Sequence, residues 1–154
     1  MISDADWAGC VDSRKSTSGY AFFMGNSLVS WASKKQSIVA LSSTEAEYVA
    51  LCAAAQETVW LRNLFCDVGL SQTKATCIKE DNQDAICLAK NPKDHTRTKH
   101  IDIKYHYTRQ VIEEKKIKLD YTPTGNMVAD TLTKGLPKVK FVEFCSAMGV
   151  RPCL

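Results

Sequence analysis

The sequence predicts a mixed α/β (α+β) domain: a five-stranded sheet, half antiparallel hairpin and half parallel strands, flanked by helices. Three observations carry that expectation. SGYAFFM (18–24) and SLVSWA (27–32) are β-rich runs separated by Gly25-Asn26, two residues able to take positive φ in a tight hairpin turn. Residues 44 to about 65 contain no Gly or Pro and many good helix formers, the longest helix candidate in the chain. After it, strand-like and helix-like segments alternate, the order expected of a sheet with helices packed over it.

Taken in order, ISDADWAG reads as a short first strand, joined to the hairpin by the polar loop CVDSRKST. The long helix is followed by Gly69, a stop signal. ATCIKE is a short strand running to Asp81-Asn82, and DAICLAKN is a helix closed by Pro92. Lys99 to Lys116 reads as another helix and IKLDY as an alternating strand. PTGNMVADTLTKGL is a turn and a short helix, and KFVEFCSAMG a last amphipathic helix. A chain of 154 residues is about one domain, so residues 1–136 are assigned to the main body and 137–154 to a C-terminal helix and tail of the same domain.

Composition excludes several classes. No apolar run is long enough to cross a bilayer, and MISDADWAG has no signal-peptide character. Seven scattered cysteines, with no C-x-x-C pair, point to reduced thiols rather than a disulfide framework or a zinc site. The net charge of +3 permits a nucleic-acid partner without announcing one.

Four acids fall at the ends or starts of elements: Asp4, Glu47, Asp81 and Asp130. Hard oxygen ligands converging from different elements are what a divalent cation requires, but physics alone does not make these four converge. In STEAEYVAL, Ser42 could cap the helix with Glu45 completing a capping box. Glu47 would then head the row 47, 50, 51, 54, 58, 61. The rival arrangement caps with Thr44 and makes Glu47 the box partner. Asp6 competes with Asp4, since residues i and i+2 of a strand share a face about 6.5–7 Å apart.

SDADWAG, DSRKSTSGY, VSWASKKQ, ALSSTEAEYVAL, DNQDAICLAKNP, RTKHIDIKYHYTR and NMVADTLTKGLP follow one another along the whole chain. Together they resemble the ribonuclease H domain at the end of the Pol polyprotein of copia-type LTR retrotransposons. The resemblance implies a ribonuclease H-like fold and hydrolysis of the RNA strand of an RNA–DNA hybrid by two Mg²⁺ ions, with Mn²⁺ able to substitute. It implies that Asp4, Glu47, Asp81 and Asp130 are the catalytic metal ligands. Asp4 would bridge both ions, Glu47 and Asp81 hold one, and Asp130 help hold the other, Asp130 being the most tolerant of replacement by Asn.

Substrate grip is expected from Arg14, Lys15, Lys34, Lys35, Arg97, Lys99 and His100, with Asn82 and Gln83 reaching 2′-hydroxyls. The spacing of His95, His100 and His106 with Asp102 is poor for one metal. By the same resemblance, His95 or His100 is a candidate for assisting product release. The expected partners are the hybrid, reverse transcriptase and other Pol regions, with no membrane and a monomeric isolated domain. The expected location is cytoplasmic, in an intracellular virus-like particle of the parent element, or nuclear.

Only Met1, Ile2 and Ser3 precede Asp4, where such domains carry a longer first strand. An excised or truncated polyprotein fragment with a shortened central strand and lowered stability is therefore expected. The alternative function is a catalytically silent or domesticated nucleic-acid-binding module, against which the intact carboxylate set argues.

Overall fold

The computed structural model describes residues 1–91 and 99–151, with side chains from 103 onward in the second stretch. Five strands form one sheet in the order β3-β2-β1-β4-β5: β1 Ile2–Ala5, β2 Thr17–Met24, β3 Ser27–Lys35, β4 Thr76–Glu80 and β5 Ile117–Tyr121. β1, β2 and β3 are antiparallel neighbours, while β4 and β5 run parallel to β1. The helices are α1 Ser43–Asp67, α2 Gln83–Lys90, α3 Lys99–Glu113 and α4 Lys138–Ala147. The element order is the one read from the sequence, with one difference. The expected short helix after β5 is a pair of 3₁₀ turns, Thr124–Asn126 and Val128–Leu132.

Local chemistry explains the boundaries. Gly25 takes φ 60° in the two-residue hairpin between Met24 and Ser27, whose Cα atoms pair. The Ser42 hydroxyl accepts from the Glu45 N–H at 3.1 Å, and the Glu45 carboxylate accepts from the Leu41 N–H at 2.7 Å. Ser42 is therefore the cap, and Glu47 is left free to face inward. Ser42→Ala should lower stability by about 1 kcal/mol, read by chemical denaturation, with the site unaffected. Gly69, at φ 79°, closes α1: its N–H donates to Cys66 O at 3.0 Å and the Leu70 N–H to Phe65 O at 2.7 Å. α3 ends in the same way on Lys115 at φ 55°, a lysine where glycine is usual, two residues after the assigned end of the helix.

The sheet separates two apolar layers. On the α1 side, Leu51, Ala55 and Tyr48 pack on Ile78, Ile117, Leu119, Ile86 and Val111. Beneath the N-terminal half of α1, Ala46 and Ala50 meet Ala5 and Ala40. On the other face, Ile2 packs against Met127 and Ala129 of the 3₁₀ segment. That segment crosses β2 closely: a Cβ at Gly19 would lie 2.8 Å from both Leu132 Cβ and Thr133 Cγ2. β1 is central yet only four residues long, as expected, and β2 continues from Phe22 to Met24 beyond the pairing with β1. A cleft of about 240 Å³ lies there, with Phe22, Leu61, Phe65 and Thr76 among its walls.

Candidate metal centre

β1 and β4 run parallel side by side, so their C-terminal ends open on one edge of the sheet, and α1 begins above that edge. Asp4, Glu47 and Asp81 meet there: one ligand oxygen from each lies within 4.8 Å of the others. Such a cluster of hard oxygens can coordinate a divalent metal.

Each carboxylate is held by the element beside it. Glu47 Oε2 accepts from the Ala5 N–H at 2.8 Å, tying the helix start to the end of β1. Asp81 Oδ2 accepts from the Thr124 hydroxyl at 2.6 Å. Asp4 Oδ2 accepts from the Thr133 hydroxyl. Asp4 and Glu47 are buried, and Asp81 is half-buried.

Asp130 is buried close by but outside the triad. Its Oδ1 pairs with Lys134 Nζ at 3.0 Å, and the same ammonium stands 4.0 Å from Asp4 Oδ2. Asp6 is not among the triad. The strand ends at Ala5, and the Asp6 carboxylate turns to accept from the Thr17 N–H, closing the β1–β2 ladder.

One acid escaped sequence reasoning. Glu80, the last residue of β4, is fully buried beneath α1 and accepts from the Ser3 hydroxyl at 2.8 Å. Period-2 alternation could have found it, since Glu80 shares a face with the fully buried Ile78.

The electrostatics follow from so much charge out of water. Burial pushes the Asp4 carboxyl up to about 6, with Thr133 and Lys134 pulling it back and Asp130 and Asp81 adding repulsion. Burial likewise raises Glu80 to about 8, partly offset by its hydrogen bond from Ser3. Glu47 is raised furthest, by burial first and then by Glu80 and Asp4. Buried like charges favour protonation unless a cation joins them.

Around this edge the substrate-grip candidates divide. Lys34 and Lys35 end β3, where Lys34 pairs with Ser18 and Ser18 with Ala5, so they extend the sheet edge outward from the triad. Lys35 Nζ lies 3.0 Å from Cys10 Sγ. The neighbouring Ser13 first, and then that ammonium, lower the Cys10 thiol to about 6. Exposed Arg14, at φ 53°, and half-buried Lys15 sit on the neighbouring β1–β2 loop. The Asn82 side-chain oxygen caps α2 through the Ala85 N–H at 2.9 Å, and Gln83 is exposed on the first turn. His95 and Arg97 lie outside the described residues, as do the side chains of Lys99, His100 and Asp102.

No family model matches the chain. It is 43% identical over 146 residues, 95% of its length, to the Retrovirus-related Pol polyprotein from transposon TNT 1-94 of Nicotiana tabacum. It is 41% identical over 148 residues, 96% of its length, to that from transposon RE1 of Arabidopsis thaliana. The chain spans 11% and 10% of the length of these relatives. Among solved structures, LC11-RNase H1 in complex with RNA/DNA hybrid has a TM-score of 0.62 at 12% identity, over 86% of this chain and 91% of that one. RNase H1 from the halophilic archaeon Halobacterium salinarum has 0.55 at 16%, over 92% and 95%. These likenesses show the fold, and the Pol polyproteins show the kinship: the chain is an RNase H-fold domain closely related to the Pol polyproteins of copia-type LTR retrotransposons.

Proposed function

We propose that this domain hydrolyses the RNA strand of an RNA–DNA hybrid with two divalent ions, Mg²⁺ or Mn²⁺, within the reverse transcription carried out by a Pol polyprotein. The observation that carries the reading is the convergence of Asp4, Glu47 and Asp81 oxygens within 4.8 Å at one open sheet edge. The donor set fits hard cations: it is all carboxylate and largely buried, and burial and crowding raise Asp4 and Glu47. Asp4, Glu47 and Asp81 would hold the ions, with Asp130 contributing beside Asp4. Bound there, divalent ions would activate a water and stabilise the leaving 3′ oxygen of an in-line displacement.

The chain's own groups prepare that chemistry. The Ala5 N–H, Thr124 hydroxyl and Thr133 hydroxyl each fix one carboxylate of the triad, so little reorganisation is left for the reaction. Arg14 and Lys15 on the β1–β2 loop and Lys34 and Lys35 at the end of β3 would grip phosphates without reading sequence, which suits recognition of hybrid shape. Replacing both Lys34 and Lys35 with Gln should weaken hybrid binding and flatten its log–log salt dependence by roughly one to two units, measured by fluorescence anisotropy across a salt series.

The direct test is incubation of the purified chain with an RNA–DNA hybrid labelled on each strand, in Mg²⁺, Mn²⁺ or EDTA. The expected result is metal-dependent cutting of the RNA strand alone, with DNA–DNA duplex untouched. A folded chain that binds the hybrid and leaves it whole under both metals would contradict the enzymatic reading.

A further inference from the structure

Lys134 belongs to the cluster as a cation, a role that the carboxylate set does not assign. Its ammonium lies 3.0 Å from Asp130 Oδ1 and 4.0 Å from Asp4 Oδ2, and those side chains are only 3% and 1% exposed. An i,i+4 pair between exposed side chains contributes little, but here both acids are buried and the lysine is the solvent-facing member, 40% exposed. Among the described residues, no other ion pair reaches either carboxylate.

The lysine is also rooted rather than loosely tethered. Its N–H donates to Asp130 O at 3.1 Å, and the neighbouring Thr133 hydroxyl donates to Asp4. The Ser33 hydroxyl clips Leu132 O at 2.6 Å, and the bare Gly19 lets the whole turn lie against β2. Asp4 thus belongs both to the triad and to the ammonium that it shares with Asp130.

We propose that Lys134 is a built-in counter-cation for Asp4 and Asp130, holding the pair together in the metal-free protein and giving way to solvent when a second divalent ion takes them. The proposal rests on the two-ion reading above and adds to it that the two ions bind unequally. The first meets Asp4, Glu47 and Asp81; the second competes with the chain's own ammonium.

Mn²⁺ binding to the wild type, Lys134→Met and Lys134→Arg, followed by isothermal titration and by electron paramagnetic resonance of free Mn²⁺, tests this. In Lys134→Met the second ion should bind at least about tenfold tighter and the first nearly unchanged, with Lys134→Arg close to wild type. In EDTA, Lys134→Met should also unfold at a lower temperature than Lys134→Arg. Two ions bound with the same second-step affinity in all three forms would overturn the proposal and leave the functional reading standing. Folded proteins that bind no Mn²⁺ in any form would overturn both. Should Lys134→Met not fold, the wild type decides alone: the ε-methylene NMR signal of Lys134 should move at the second equivalent of Mg²⁺ and not at the first. A signal indifferent to the second equivalent would rule the displacement out.

Discussion

Asp81→Asn should abolish cleavage of the hybrid, lowering the rate by about 10³-fold or more, while the domain remains folded. A thousandfold corresponds to about 4 kcal/mol of transition-state stabilisation, within what metal positioning supplies. Asp81 lies just past β4, takes no part in the strand ladder and is half-buried, so an isosteric amide fits its place. The amide oxygen can still accept from the Thr124 hydroxyl, which preserves the local geometry. Only the charge is lost, and that charge now adds to the repulsion raising Asp4 and Glu47. The metal-free variant should therefore unfold at a temperature equal to or slightly above wild type. Activity and stability move in opposite directions, which separates a ligand from a structural acid. Retained cutting would remove Asp81 from the site. Asp130→Asn should lose less, since Asp130 stands outside the triad and is already shared with Lys134.

Metal-free protein should lose stability as pH rises from about 4 through about 8, and Mg²⁺ should restore it increasingly over the same range. Asp4, raised to about 6, and Glu80, raised to about 8, keep protons that the unfolded chain releases near its ordinary carboxylate values. Between those limits the native state binds more protons than the unfolded state, so the slope of unfolding free energy against pH is negative. The contribution is fully present below about 4. The Asp4 part is lost by about 6 and the Glu80 part by about 8, with Glu47 extending the loss further. Together they amount to several kcal/mol, because each tenfold change in proton affinity is worth about 1.4 kcal/mol. Exposed Asp120 and Glu114, whose values are lowered, act in the opposite sense at more acid pH. A divalent ion binds only the ionised cluster, so its stabilisation grows as these protons leave. Thermal unfolding across pH in EDTA and in saturating Mg²⁺ measures both slopes. A flat or rising EDTA curve over this range would contradict the buried, self-repelling cluster.

Much of the architecture was legible because local signals coincided with tertiary ones. Gly25-Asn26 fixed the hairpin, Ser42 with Glu45 fixed the start of α1, and Gly69 its end. Where the determinant was a distant contact, the sequence was mute. Lys115 ends α3 in a positive-φ conformation that glycine would have advertised. The 3₁₀ turns replace a helix because the segment must lie flat across β2 over Gly19.

The site divides in the same way. The positions of Asp4, Glu47, Asp81 and Asp130 followed from their motifs, but the meeting of the first three did not. Glu80 was overshadowed by the acid next to it. In KED, alternation sends Glu80 beneath α1 toward Ser3, while Asp81, just past the strand, turns to Thr124 at the open edge. Asp4 prevails over Asp6, whose carboxylate, just past the strand, is taken by the Thr17 N–H.

The bond from Thr133 to Asp4 joins residues 129 positions apart. In synthesis Asp4 precedes Thr133 by those 129 positions. Until Thr133 and Lys134 emerge, the nascent chain carries Asp4, Glu47 and Asp81 without their threonine and ammonium partners. Contacts so far apart in sequence form slowly once available, because the intervening chain must first be ordered. A half-made domain is in this way a half-made site, and the segment carrying Thr133 and Lys134 turns the cluster from a repelling set of acids into an organised one.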